Sequence, residues 1–161
     1  TGMAGEWGHV TLQENGPLCK CGNRGCWEAC ASNSAAVRYF TESEPTQNKP
    51  KMSGMPTFDL VLKLAQQGQP QAHAALEKMA HYLGVGVAMT IAALAPDVLV
   101  VVGEVTRVWD KVGPIIDGVI TSRLSMGSKT QIVPTNPDTQ PRLRGTIALV
   151  LQKHFGVPHL A

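Results

Sequence analysis

The chain lacks most of what would direct it to nucleic acid, to a membrane or out of the cell. Of its 161 residues, 14 are Lys or Arg and 12 are Asp or Glu, a net charge of +2. That surplus is too small to steer a protein to a polyanion or an anionic lipid surface. A long apolar run is also missing. Leu83 to Val102 comes nearest, but Pro96 and Asp97 split it into runs of 13 and 5 residues, both too short to span a bilayer. No basic segment followed by an apolar one stands at the start, so no targeting signal is expected. Cysteine is absent outside residues 19–30, where it occurs at 19, 21, 26 and 30. Disulfide frameworks spread their cysteines to close long loops, so this cluster argues for a metal and a reducing compartment. The expectation is a soluble, cytoplasmic protein.

What is present suits one compact domain. Hydrophobic residues make up 43% and charged ones 16%, which excludes a disordered chain. No internal repeat or low-complexity segment occurs. The chain opens on Thr1 and a glycine-rich stretch rather than on Met, and a piece of something longer is expected. Residues 1–18 read as short strands and turns, with a turn signal at Asn15-Gly16-Pro17. Residues 19–26 are too rich in Cys and Gly for regular structure, and a helix is predicted from Trp27 to about Thr41. Residues 43–56, with Pro45, Pro50, Gly54 and Pro56, form a mobile loop. Helices follow at Phe58–Gln67 and Pro70–Ala95. The second of these becomes almost wholly apolar, and its Gly84, Gly86, Ala88 and Ala92 would let another backbone, or a second copy of the chain, come close. The β-branched run Asp97–Val102 suits a parallel strand covered on both faces. A helix at Val108–Leu124, a strand at Thr130–Thr135 and a helix at Leu143–His154 complete an α/β layered order with right-handed crossovers.

The chemistry is concentrated in Glu6-Trp-Gly-His9 and in Cys19-Lys-Cys21-Gly-Asn-Arg-Gly-Cys26-Trp-Glu28. Zinc takes four thiolate or imidazole ligands in a tetrahedron. Cys19 and Cys21 are two apart and need a tight turn to aim both sulfurs at one ion, and Gly22 and Gly25 supply the backbone freedom. His9, across the turn at Asn15-Gly16, closes the set. Cys30 is its rival, but it falls one turn into the predicted helix on the apolar side and reads as a small buried hydrophobe. Lys20 and Arg24 would offset part of the negative charge of three thiolates. Four protein ligands leave no open position, so the zinc would be structural. Glu6 and Glu28 flank the loop. Glu28 also fits an ordinary first-turn helix position, yet two carboxylates on one metal loop suit capture of sugar hydroxyls. With one ring nitrogen of His9 on zinc, the other becomes an oriented N–H donor.

The pattern Glu-x-Gly-His, some ten residues, then Cys-x-Cys-Gly-x-x-Gly-Cys-x-Glu resembles the signature of the ROK family (repressors, open reading frames, kinases). The resemblance extends through Ala95–Gly103 and Arg144–Leu151, nearly the whole chain. It implies one zinc per chain on His9, Cys19, Cys21 and Cys26, and sugar hydroxyls on Glu6, His9 and Glu28. It implies the C-terminal lobe of a ribonuclease-H-like (actin-like ATPase) fold over residues 1–161. Within it, residues 1–42 would hold the sugar and zinc motif with its helix, 43–56 a loop and 57–161 the α/β core. The family's catalytic aspartate and first phosphate loop belong to its N-terminal lobe, which with any DNA-binding domain would lie outside this chain, so no catalytic residue is assigned. Where ROK kinases carry a double glycine near the nucleotide, this chain has Gly103-Glu104, and a carboxylate there opposes a polyanion. Trp27, the Gly-Pro-Leu-Cys lead-in and the Ala-Leu-Val-Leu ending also look more like the repressor members. The reading that follows is the sugar-sensing lobe of a transcriptional repressor, homodimeric and reaching DNA only through a domain outside this chain. The alternatives are the C-terminal lobe of a sugar kinase, or a zinc-stabilised assembly module.

Other features carry less. Gly84-Val-Gly86 lacks the third glycine of a dinucleotide fingerprint and lies within a helix. Gly127-Ser-Lys129-Thr130 has its glycines misplaced for a phosphate loop. His73, His81, His154 and His159 are isolated, and Arg142 and Arg144 read as solvated. Trp7 and Trp27 line either a sugar pocket or the packing around the metal loop.

Overall fold

The computed structural model describes residues 5–43, 56–124, 127–136, 139 and 141–155. The predicted loop at 43–56 therefore lies almost wholly outside the described residues, as do His159 and the side chain of Arg142. A 3-10 turn at Trp7–His9 leads into the cysteine loop. Then come α1 (Trp27–Ala31), α2 (Asn33–Glu42), α3 (Phe58–Gln66) and α4 (Pro70–Leu94). Strand β1 (Val98–Val101), a 3-10 turn at Glu104–Val108, α5 (Trp109–Arg123), β2 (Gln131–Pro134) and α6 (Pro141–Phe155) follow. Residues 5–18 form no strand. Instead of the expected short strands, isolated antiparallel bridges join Thr11 to Cys26 and Leu18 to Arg24.

The single helix expected at 27–41 is two. Ser32 adopts an extended conformation, and its hydroxyl accepts a hydrogen bond from the Ala35 N–H at 3.3 Å. A serine that caps the next helix competes with continuation of the previous one. The corner is fixed from outside as well: Tyr39 Oη donates to the Cys30 carbonyl at 3.0 Å and Arg38 Nη2 to the Ala29 carbonyl at 2.8 Å. Thr57 caps α3 in the same way, and Pro70 sits in the first turn of α4, where its missing N–H costs nothing.

Helix α4 is the axis of the molecule, packing against α1, α2, α3 and α5. Phe40, Val61, Leu62, Met79, Val108, Val112 and Ile116 are fully buried around it. Its small residues do permit close approach, but within the chain. A Cβ on Gly84 would lie 3.1 Å from the Ile116 carbonyl of α5, and one on Gly86 would lie 1.9 Å from the Trp27 ring. Ala88 is buried as well, so three of the four small residues serve the chain's own packing, while Ala92, one turn further on, is exposed.

Strands β1 and β2 pair in parallel, Val98 opposite Gln131 and Val101 opposite Pro134, with α5 as the crossover. Leu99, Val101 and Ile132 pack against the core. Val98 and Val100 are about half exposed, at 49% and 53%. The expectation of a strand covered on both faces is therefore corrected: among the described residues one face is open. Helix α6 lies in the predicted place, and its apolar residues Leu143, Ile147, Leu149, Val150 and Leu151 are all exposed. No helix of the described residues is long and apolar enough to cross a membrane.

Candidate metal centre and the carboxylates beside it

The cysteine loop is built by backbone pairing between residues 10–18 and 24–27. Leu12 N–H donates to the Gly25 carbonyl at 2.8 Å, Gly25 N–H to Pro17 at 2.8 Å and Trp27 N–H to Val10 at 2.9 Å. A tighter turn inside it is closed by Cys19 N–H to Asn23 and Gly22 N–H to Cys19. Gly22 and Gly25 have φ of +92° and +62°, the left-handed conformations the spacing called for. At Gly25 there is a second constraint: a Cβ would sit 1.6 Å from the Gln13 carbonyl oxygen. The turn can close only around a residue without a side chain.

This framework brings together the four residues that the spacing selected. The ligand atoms of His9, Cys19, Cys21 and Cys26 all lie within 4.8 Å of one another, a group that could hold a metal ion. Cys19 Sγ is 3.6 Å from His9 Nδ1, and Cys21 Sγ is 3.6 Å from Cys26 Sγ. Zinc–sulfur bonds of about 2.3 Å and zinc–nitrogen bonds of about 2.0 Å give tetrahedral edges of about 3.8 and 3.6 Å. The donor set fits that ion. Cys30 is fully buried and stands outside the group, as its place on the apolar side of a helix required. Burial, then the neighbouring Cys21 and Cys19 sulfurs, pushes the Cys26 thiol up to about 12. Cys21 is held below the ordinary thiol value, chiefly by the Asn23 backbone N–H. Of the two cations near the loop, Arg24 donates to the Gly16 carbonyl at 3.4 Å and Lys20 is exposed.

His9 faces two ways. Its Nδ1 points to Cys19, and its Nε2 lies 3.7 Å from Glu6 Oε2. Glu28, in the first turn of α1, meets the same 3-10 turn at Gly8, where an added Cβ would be 3.6 Å from Glu28 Cβ and 3.8 Å from its Oε2. Glu6 and Glu28 are exposed and His9 is half-buried, so these polar groups look outward. The Trp27 ring lies against Gly86 of α4 and so takes part in the packing around the metal loop. Trp7 is half-buried at the start of the turn.

Two arrangements escaped sequence reasoning. Asn33 Nδ2, at the start of α2, donates to Glu104 Oε2 at 2.9 Å, so Glu104 reaches 71 positions back toward the metal-loop helices. Tyr39 has the Arg38 guanidinium 4.9 Å and the Lys78 ammonium 4.4 Å from its ring centre. Arg38 and Glu42 at i and i+4 are readable as a pair, whereas Lys78 and Glu104 come from distant elements and leave no local signal.

The chain is similar to known proteins over most of its length. The chain is 29% identical to the xylose repressor of Bacillus spizizenii over 96% of its own length and 38% of that protein's. It is 33% identical to a glucokinase of Halalkalibacterium halodurans over 68% of its length and 35% of that protein's. The chain thus spans less than two-fifths of the length of these relatives. Among solved structures it resembles the ROK hexokinase of Thermus thermophilus, with a TM-score of 0.70 and 28% identity over 84% of this chain and 43% of that one. The α/β fold is that of the actin-like ATPases. With the ROK family's sequence profile matching residues 1–153, cysteine loop and last helix included, the chain belongs to the ROK family.

Proposed function

We propose that this chain is the sugar-binding C-terminal lobe of a cytoplasmic ROK-type transcriptional regulator. In this reading His9, Cys19, Cys21 and Cys26 hold one structural zinc, and Glu6, His9 and Glu28 bind sugar hydroxyls. The observation that carries it is the double engagement of His9, one ring nitrogen toward Cys19 and the other toward Glu6. A histidine whose Nδ1 serves a metal presents Nε2–H as a fixed donor. Two carboxylates beside it accept from hydroxyls, and such charge-assisted hydrogen bonds are the strong, directional ones. A bound sugar would favour one arrangement of the lobe and thereby bias DNA contacts made elsewhere in the polypeptide. Zinc in this site would supply loop stability and histidine orientation, with all four ligands provided by the protein. A homodimer through this lobe would have Ala92 of α4, exposed beyond the buried Gly84, Gly86 and Ala88, available to it.

Two observations support the regulator over the kinase. Similarity to the xylose repressor runs over 96% of the chain against 68% for the glucokinase. Glu104 stands where the kinases carry a glycine, and it is tied to Asn33. The kinase reading is kept by the 33% identity to a glucokinase. Calorimetric titration of the intact protein with xylose and glucose, followed by an ATP-consumption assay on that protein, separates the two. The regulator predicts binding of one sugar, weakened at least tenfold by Glu6→Gln or Glu28→Gln, with no ATP consumed. Sugar-dependent ATP consumption would establish the kinase, and no heat with any pentose or hexose would leave only the assembly role.

A further inference from the structure

The four ligands are unequally sheltered. Cys26 is 0% exposed and Cys19 6%, whereas Cys21 is exposed. Its neighbours Lys20, Gly22 and Asn23 are exposed as well, so this end of the loop faces solvent. The nearest described sulfur partner of Cys21 is Cys26, 3.6 Å away and unbonded. Cys19, also a neighbour of Cys21 in the group, has its sulfur 3.6 Å from His9 Nδ1, and Cys30 lies outside the group. Forming a disulfide of about 2.05 Å between Cys21 and Cys26 requires the sulfurs to close by about 1.5 Å. Gly25 is pinned by its hydrogen bonds to Leu12 and Pro17, but Gly22, directly after Cys21, has open space around it and lets the Cys21 side of the turn make that movement.

We infer that Cys21 is a peroxide-reactive thiolate whose oxidation joins it to Cys26 and releases the zinc, making the metal loop an oxidant-sensitive element. The inference rests on the zinc reading above. The Cys21 thiolate attacks one oxygen of a hydroperoxide; the S–O bond forms, the O–O bond breaks, and hydroxide (or alkoxide) leaves. Sulfur gives up two electrons and the peroxide takes them, leaving a sulfenic acid. The Cys26 thiolate then attacks that sulfur; the S–S bond forms and hydroxide leaves. His9 and Cys19 are the only ligands left, and two ligands do not hold a structural zinc. The same step frees His9 Nδ1, so the donor aimed past Glu6 loses its fixed orientation. A dithiol reductant returns two electrons and restores both ligands.

The test uses zinc-loaded protein and hydrogen peroxide, with released zinc read by a chromophoric chelator and the bridge located by peptide mass mapping. One zinc should be released per Cys21–Cys26 disulfide, and dithiothreitol with added zinc should reverse it. Brief alkylation of the loaded protein should modify Cys21 at least tenfold faster than Cys19, Cys26 or Cys30. Cys30→Ser, which leaves all four ligands in place, should release zinc within twofold of the wild-type rate. Zinc retained under peroxide, equal alkylation of all four cysteines, or a first bridge through Cys19 or Cys30 overturns the inference while leaving the metal reading intact. Protein that never binds zinc overturns the metal reading itself, and the inference with it.

Discussion

Trp27 and Leu149 are both large apolar residues on helices, and the molecule treats them in opposite ways. The Trp27 ring lies against the bare backbone of Gly86, and α1 packs on α4. Leu149 of α6 is 68% exposed, and so in lesser degree are Leu143, Ile147, Val150 and Leu151. Around the cysteine loop, side chains meet counterparts from within the chain: Tyr39 with Arg38 and Lys78, Asn33 with Glu104, Arg107 with Asp59. Along the outer face of β1 and β2, and along α6, the apolar residues meet none among those described. Hydrophobic patterning predicts helices and strands equally well in both regions, because it records that a face is apolar. What covers that face is a separate matter, and only in the first region is the cover part of this chain. Stability should therefore be concentrated in the loop and α1–α5.

The largest expected effect is loss of the metal. Structural zinc contributes about 10 kcal/mol or more of apparent binding energy in small zinc domains, and the loop at 10–27 has little apolar core of its own. Cys26→Ser, or a strong chelator, should lower the thermal midpoint by about 10 °C or more and change Trp fluorescence as α1 loosens from α4. Unchanged melting after proven removal of zinc would mean that backbone pairing alone holds the loop. Next in size is Gly25→Ala, expected to cost at least about 3 kcal/mol, because it combines a left-handed residue with a clash into the Gln13 carbonyl. Gly86→Ala should follow at about 2–4 kcal/mol, since Trp27 would have to leave its seat. The opposite sign is expected at Gly118 of α5, where a Cβ meets nothing. There alanine should stabilise by about 0.5–1 kcal/mol through helix propensity.

Paired leucines test the contrast directly. Leu62→Ala, at a residue 2% exposed, should cost about 2–5 kcal/mol, and Leu149→Ala about 0.5 kcal/mol or less. Equal costs in urea unfolding would show that α6 is covered in solution and would erase the distinction between the two regions.

Much of this was legible in the sequence. The grouping of His9, Cys19, Cys21 and Cys26 was, because a turn that brings two sulfurs to one point needs glycine, and Gly22 and Gly25 stand where the geometry needs them. Both strands and helices α3 to α6 lie within a few residues of their predicted bounds, since long periodic segments announce themselves. The break at Ser32 was missed because the apolar period runs on through it, while the decisive event is a single hydroxyl capping Ala35. Gly84 and Gly86 signalled close approach correctly but not by what; the partners, Ile116 and Trp27, lie about 30 residues after one and 60 before the other. Covered faces on β1 were over-read for the same reason: a β-branched run prescribes apolar neighbours without saying that this chain supplies them.

A pH-dependent effect is expected at Tyr39, which locks the α1–α2 corner by donating to the Cys30 carbonyl. Burial, and next the Cys30 thiol, raises its pKa from 10 to about 12, with Arg38 pulling the other way. The folded state therefore favours the neutral phenol. A group raised on folding contributes stability that is fully present below its unfolded pKa near 10 and is lost as the pH climbs toward 12. Tyr39→Phe removes one buried hydrogen bond and should cost about 1 kcal/mol at pH 8. Between pH 10 and 12 the phenol of the unfolded wild type ionises while the folded one stays largely neutral, which favours unfolding of the wild type alone, so its advantage over Tyr39→Phe should shrink and vanish by about pH 11.5. Urea midpoints of both proteins at pH 8 and pH 11.5 measure this as a difference, from which the titration of other groups cancels. A gap independent of pH would mean that the phenol ionises as easily folded as unfolded, and that the corner of the metal-loop helices is more open to water than the packing around Tyr39 implies.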